Sequence, residues 1–318
     1  MSDEPTRVIF LASTGRSGST LLELLLNGLD GVWTTGELYV LPWEISENRR
    51  GCGCGKPVGE CEMWSTVIAR MGPDLKPGGE VSRFRDTYRI AKFFRWVDLL
   101  RALRHTPLDG VAGFAAFARE NKALFSAVAD SLEALEGERP RYVVDSSKLF
   151  YRLSWLSQCR GIELRVIHVV RDPRAFVHAK TREAKPGVAR NWTAFRMSVR
   201  YAVENALIER IAGRMRAGYV QRVRYEDVAR HPDRAIRGLC EWLGVEYRSD
   251  LPEVFRACEN HGVAGNIMRH REGGIALDDR WRQDMDRRLK RLAWLVAGRT
   301  ARRYGYVSSD MSDIERET

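Results

Sequence analysis

Residues 7–12 (RVIFLA) form a short, β-branched apolar run, and from residue 19 to 29 leucines recur at helical spacing on one face. The polar, glycine-punctuated stretch STGRSG separates them, so the pattern predicts a strand, a turn and a helix. Short apolar runs return at 141–145 (RYVVD), 163–170 (ELRVIHVV) and 219–225 (YVQRVRY), each separated from the next by a helical pattern. Continuous apolar runs alternating with helices predict an α/β fold, a parallel β-sheet flanked by helices on both faces. From about 62 to 137 the chain switches to long helical stretches rich in arginine and aromatics, which predicts a helical insertion forming a lid or wall over a site. Tyr88, Phe93, Phe94 and Trp96 in that stretch either touch an apolar substrate or fill a core. Further on, the helix in HPDRAIRGLCEWLG closes at Gly244, a glycine-containing loop follows at 262–274, and a last amphipathic helix lies near 284–303. Without an internal repeat or long linker, residues 1–318 are expected to form a single domain.

Charge adds a preference for anionic partners: 52 Lys and Arg against 42 Asp and Glu give a net charge of +10. The basic residues are dispersed, and no zinc-finger or RNP pattern accompanies them, so nucleic acid is not the expected partner. No run reaches the roughly 18 apolar residues of a membrane span, and the opening MSDEPTR is no secretory leader, so a cytoplasmic protein is expected. Assembly into a homodimer is left open. Three of the six cysteines, Cys52, Cys54 and Cys61, cluster in GCGCGKPVGEC. No histidine lies near them in sequence, so ordinary reduced thiols in a tight loop are expected and no metal site.

The turn TGRSGST sits where a helix N-terminus offers unpaired backbone N–H groups to an anion. Gly15 and Gly18 permit close backbone approach, Ser17, Ser19 and Thr20 offer hydroxyls, and Arg16 adds charge. The Walker pattern fails, because Gly18 is followed by Ser19 and no lysine is present. Alone, the turn is equally consistent with a helix capped by Ser19. HVVRDPRAFVHAKTR, however, places Arg171 and Arg174 directly after a second parallel strand, at the same sheet edge, with Pro173 suited to the first turn of the next helix.

Together these segments resemble the sulfotransferases that use 3′-phosphoadenosine-5′-phosphosulfate (PAPS). TGRSGSTLL resembles their 5′-phosphosulfate loop in the arginine-containing form of the tyrosylprotein and carbohydrate branches, and VVRDPRAFVHA resembles their 3′-phosphate strand and helix. VRYEDVARHPDRAIRGLCEWLGV is similar to the segment in which a tyrosine approaches the adenine, and MRHREGGIALDDRW to the late loop over the 3′-phosphate. The resemblance implies a P-loop-like fold in which Arg16, Ser17, Gly18, Ser19 and Thr20 hold the 5′-phosphosulfate. It further implies that Arg171 holds the 3′-phosphate, that Tyr225 meets the adenine, and that Arg269 or Arg271 completes the clamp. Two departures stand out. Ala179 occupies the place of a usual 3′-phosphate-binding serine, for which Thr181, Lys180 or Arg182 are candidate substitutes, and Leu21 replaces a tryptophan found in cytosolic members.

Sulfuryl transfer spreads negative charge in its transition state, so positioned cations do much of the catalysis. Arg16 and Lys148 are the available cations, Lys148 resembling the tyrosylprotein branch's catalytic lysine in placement, with a pair to Asp145 as its alternative. Glu37, in GVWTTGELYVLP, resembles that branch's catalytic glutamate and is the expected base; its alternative is a helix N-terminal carboxylate. His178 is the next candidate, while His105, His168, His231, His261 and His270 read as ordinary polar or packed residues. The expected reaction is transfer to a hydroxyl of a sugar, phenol, lipid-linked alcohol or other small molecule, with no metal required. The competing classes are a nucleotide-dependent kinase with an atypical phosphate loop and a non-catalytic anion-binding protein of the same fold.

Overall fold

The computed structural model describes residues 6–85, 100–101, 104, 106–182, 187–265 and 273–308. Its centre is a parallel sheet of β1 (Thr6–Ser13), β2 (Val32–Thr34), β3 (Tyr142–Lys148), β4 (Ile162–Val170) and β5 (Val220–Arg224), in the order β2-β3-β1-β4-β5. β1 is continuously apolar because both of its faces are covered. Val8, Phe10 and Ala12 point into one cluster, and Ile9 and Leu11 into another.

On the first face pack α3 (Glu62–Met71), through Trp64 and Val67, and α4 (Phe114–Glu136), through Phe117, Leu124 and Phe125. α5 (Phe150–Leu156) and the end of α7 (Val188–Ala212) join them there. The opposite face is covered by α1 (Ser19–Asn27), through Leu22 and Leu25, and by α9 (Pro232–Leu243), through Ile236 and Leu239. α9 ends at Gly244, whose positive φ of 69° closes the helix. Beyond β4, α6 (Pro173–Thr181) packs with α7 and α10 (Arg287–Arg303) around Phe176, Tyr201 and Trp294.

The described part of the 62–137 stretch is therefore a layer of the main core, its side chains sharing one cluster with β1 and β3. Tyr88, Phe93, Phe94 and Trp96 lie outside the described residues. β3 runs on to Lys148, beyond the expected end at Asp145, because its pairing with β1 resumes after a register shift and brings Lys148 opposite Ala12. β2, three residues long, carried no pattern of its own. The chain goes from β1 out to β2, returns to β3, and crosses to β4 on the other side of β1. That reversal places the carboxyl ends of β1, β3 and β4 around one crevice. Among the described residues, no helix is long and apolar enough to cross a membrane.

Candidate active site

The turn between β1 and α1 is held from within. Thr14 Oγ1 and Ser17 Oγ are hydrogen-bonded at 2.7 Å, and Ser17 is fully buried. Arg16 and Gly18 both take positive φ, 74° and 81°, so the loop curls with the Arg16 side chain outward in solvent. A methyl group on Gly18 would stand 2.2 Å from Tyr225 Cδ2, so the tyrosine ring lies directly on this glycine. On another side of the loop, Lys180 Nζ stands 3.7 Å from where a Gly15 methyl would be. Burial, with Arg200 and Arg16 as cationic neighbours and Glu204 opposing them, pushes the Lys180 ammonium down to about 8. Of the candidates beside Ala179, Lys180 thus lies against the β1–α1 loop, while the Thr181 hydroxyl donates to Val177 O at 2.9 Å.

Glu37 and Lys148, far apart in sequence, meet at the end of β3, where Lys148 Nζ donates to Glu37 Oε1 at 2.6 Å. Tyr39 Oη donates to Glu37 Oε2 at 3.4 Å, and Arg50 Nη1 is 3.9 Å from the same oxygen. Burial by itself would raise the Glu37 pKa. The charge and hydrogen bond of Lys148, with Arg50 and Tyr39, outweigh it and hold the carboxyl below its ordinary value. Burial likewise opposes the Lys148 charge, and Glu37 and Glu23 overcome it, leaving the ammonium above its ordinary value. Asp145, the alternative partner of Lys148, is engaged elsewhere: Arg152 Nε donates to it at 2.7 Å with both side chains fully buried.

Arg171, at the end of β4, ties the two motifs together. Its Nη1 donates to the Arg16 carbonyl at 3.2 Å, and its guanidinium lies 4.5 Å from the centre of the Tyr225 ring. Nη2 reaches the Asp278 carbonyl at 2.6 Å and carboxylate at 3.2 Å. Arg280 first, and then Arg171, hold the Asp278 carboxyl far below the usual range. The Asp278 backbone N–H donates to Tyr225 Oη at 2.9 Å, so the strap around residue 278 closes on both side chains. Arg171 Nε and Ser13 Oγ are buried without a hydrogen-bond partner among the described residues.

Residues 8–249 match the family model described as "Sulfotransferase family". The chain belongs to the sulfotransferase family. Two solved structures share its fold along nearly their whole length. The sulfotransferase domain from the Synechococcus PCC 7002 olefin synthase has 22% identity and a TM-score of 0.53, covering 94% of this chain and 95% of that one. The sulfotransferase domain from the curacin biosynthetic pathway has 16% identity and a TM-score of 0.51, covering 92% and 98%. No curated protein matches the sequence.

Other residues expected at the site fall differently. Arg269 and Arg271 lie outside the described residues, as do His105 and His270. Arg174 turns away from the loop into the core, bidentate to Asp172 at 2.9 and 2.6 Å and sandwiched between Trp281 and Trp294 at 4.5 and 4.8 Å. It braces the start of α6 instead of facing an anion. His178 is half-buried, which lowers its pKa, and its carboxylate neighbours are Asp284 and Asp278, so it belongs to the strap side and not to Glu37. His168 is buried on Asn205 at 2.9 Å and pushed down to about 4, chiefly by burial. A cavity of 220 Å³ is lined by Arg224, Arg230, Arg282 and Asp278 among others, but by neither Glu37 nor Lys148. His261 departs most from expectation. The fold carries it to the cysteine loop, with Nδ1 3.1 Å from Cys61 Sγ, so the missing local histidine says nothing about metal at that loop.

Proposed function

We propose that the chain transfers a sulfuryl group from PAPS to a hydroxyl acceptor, with Glu37 as base and Lys148 as the cation of the reacting centre. The observation that carries this reading is the 2.6 Å Glu37–Lys148 pair at the end of β3, with Lys148 in register with the last residues of β1 before the loop. The residues around it suit an anionic donor. Lys180 is half-buried among cations, and Arg171 Nε and Ser13 Oγ are buried polar atoms without partners among the described residues.

Arg16, Ser17, Gly18, Ser19 and Thr20 would hold the 5′-phosphosulfate, joined by Lys180, while Arg171 and Tyr225 would hold the 3′-phosphate and adenine, with Arg269 or Arg271 completing the clamp. When bound, the donor supplies the sulfuryl group and departs as adenosine 3′,5′-bisphosphate. Glu37 accepts the proton of the acceptor hydroxyl as its oxygen attacks. Lys148 places its charge where negative charge develops. The resting ion pair gives this exchange an order: as Lys148 turns toward an incoming anion, Glu37 loses the neighbour that depresses its proton affinity and becomes a stronger base.

Assay of labelled donor against pools of sugars, phenols and lipid alcohols tests the reading. We expect transfer in the wild type, a fall of about 10²–10⁴-fold in Glu37→Gln, and loss of donor binding in Arg171→Ala. Full transfer by Glu37→Gln would remove Glu37 from the mechanism.

A further inference from the structure

We propose that Cys52, Cys54, Cys61 and His261 bind one Zn²⁺ in a closed structural site that anchors the backbone carrying Glu37. One ligand atom from each of the four residues can be chosen so that all lie within 4.8 Å of one another. Cys52 Sγ is 3.6 Å from Cys61 Sγ and 3.7 Å from His261 Nδ1, and Cys61 Sγ is 3.1 Å from the same nitrogen. Tetrahedral zinc with ordinary Zn–S and Zn–N bonds requires ligand separations of about 3.6–3.8 Å. The four donors therefore need only small shifts to enclose an ion.

The surrounding structure is built for that geometry. Cys52 N–H donates to Lys56 O at 3.0 Å and Gly55 N–H to Cys52 O at 3.0 Å, a tight knuckle that turns Cys52 and Cys54 to the same side. His261 Nε2 is 2.9 Å from Glu259 Oε1, a carboxylate partner that leaves Nδ1 free to offer its lone pair toward the sulfurs. Trp33 stacks on the imidazole at 5.8 Å, and the buried Trp64 donates from Nε1 to the His261 carbonyl at 2.6 Å. Cys52 and Cys61 are buried and Cys54 is exposed, which gives the ion a way in. Three thiolates and an imidazole select zinc over magnesium or calcium, and four protein ligands leave no position open for chemistry.

The mechanical consequence follows from Val263, two residues past His261. Val263 bridges both Cys52 and Gly36. Its N–H donates to Thr35 O at 2.9 Å, and its carbonyl accepts from Glu37 N–H at 3.0 Å. A metal clip between the cysteine loop and His261 therefore fixes the 261–263 segment on which the Glu37 backbone hangs.

Metal analysis of the full chain, purified under reducing conditions, should find about one zinc per chain. Cys61→Ser and Cys54→Ser should each lose most of it, Cys54→Ser without unfolding because that side chain is exposed. Cys258→Ser, outside the cluster, should keep it, and His261→Cys should retain metal where His261→Ala does not. Chelation should lower the melting temperature and added ZnSO₄ restore it, and Co²⁺ should give the visible bands of tetrahedral thiolate coordination. A wild-type chain that takes up no zinc after incubation with ZnSO₄, a Cys52–Cys61 disulfide in the freshly purified protein, or full stoichiometry in Cys54→Ser would each overturn the site. None of these readouts depends on sulfuryl transfer.

Discussion

Lys148 and Glu37 neutralise one another in a setting that leaves the side chains only 9% and 13% exposed. Removing one partner of such a pair strands a buried charge, which costs about 3–5 kcal/mol, whereas removing both costs far less. Lys148→Met is therefore expected to destabilise the fold strongly, and addition of Glu37→Gln to recover more than half of the loss without restoring transfer. Urea unfolding of the two single variants and the double variant measures this. The pH dependence has a definite sign. With its pKa lowered, Glu37 contributes stability that is present above the ordinary carboxylate value and lost as pH falls through the lowered one. With its pKa raised, Lys148 contributes stability present below the ordinary lysine value and lost as pH rises through the raised one. The pair is thus constant across neutral pH. The acid limb of kcat/KM should lie below about pH 4.3, and a limb near pH 6.5 would point to a histidine instead.

At the scale of elements, two glycines hold the site's loops in conformations that other residues resist. Gly18→Ala combines left-handed strain of about 1–2 kcal/mol with a contact of 2.2 Å to the Tyr225 ring. The ring can give way, so the fold is expected to survive while affinity for adenosine 3′,5′-bisphosphate, measured by calorimetry, falls by at least about 10-fold. In Gly36→Ala the new methyl meets backbone, Val263 O and N at 2.3 and 2.4 Å, at a φ of 75°. Backbone cannot yield in that way, so a loss above about 2 kcal/mol is expected in unfolding experiments. These elements also mark how far the sequence could be read. β1 and β4 were legible because both of their faces are buried, and α9 because its apolar stripe ends at a glycine. β2, with only Val32–Thr34, offers too few residues to show a period. Glu37 and Lys148 were each legible as candidates. Their contact was not, because it depends on β3 resuming its pairing past the apolar run that ends at Asp145. His261 was illegible as a ligand because 200 positions separate it from Cys61. Arg174 has the right chemistry for phosphate, yet the tryptophans that claim it come from the last part of the chain.

Across the whole molecule, a net charge of +10 accompanies a local cluster in which Lys180 has Arg200, Arg16 and Lys148 as cationic neighbours and Arg171 donates to the Arg16 carbonyl. In the proposed reaction, long-range attraction and local ligation act together on the anionic donor, and salt separates them because screening weakens the first much more than the second. A ligand that binds only the folded chain stabilises it by about 2.7 kcal/mol at a hundred times its Kd. For a protein of this size that corresponds to a rise in Tm on the order of 5 °C. Adenosine 3′,5′-bisphosphate should produce such a rise, and ATP with Mg²⁺ at equal concentration much less, since no Walker lysine is present to hold a triphosphate. Raising salt from 0.1 M to 1 M shortens the screening length from about 10 Å to about 3 Å. At fixed ligand concentration the Tm shift should then fall by more than half, and Lys180→Ala should flatten that dependence. An equal response to ATP with Mg²⁺ would favour a nucleotide-dependent kinase. A shift indifferent to salt would mean that the crevice cations do not draw the donor in.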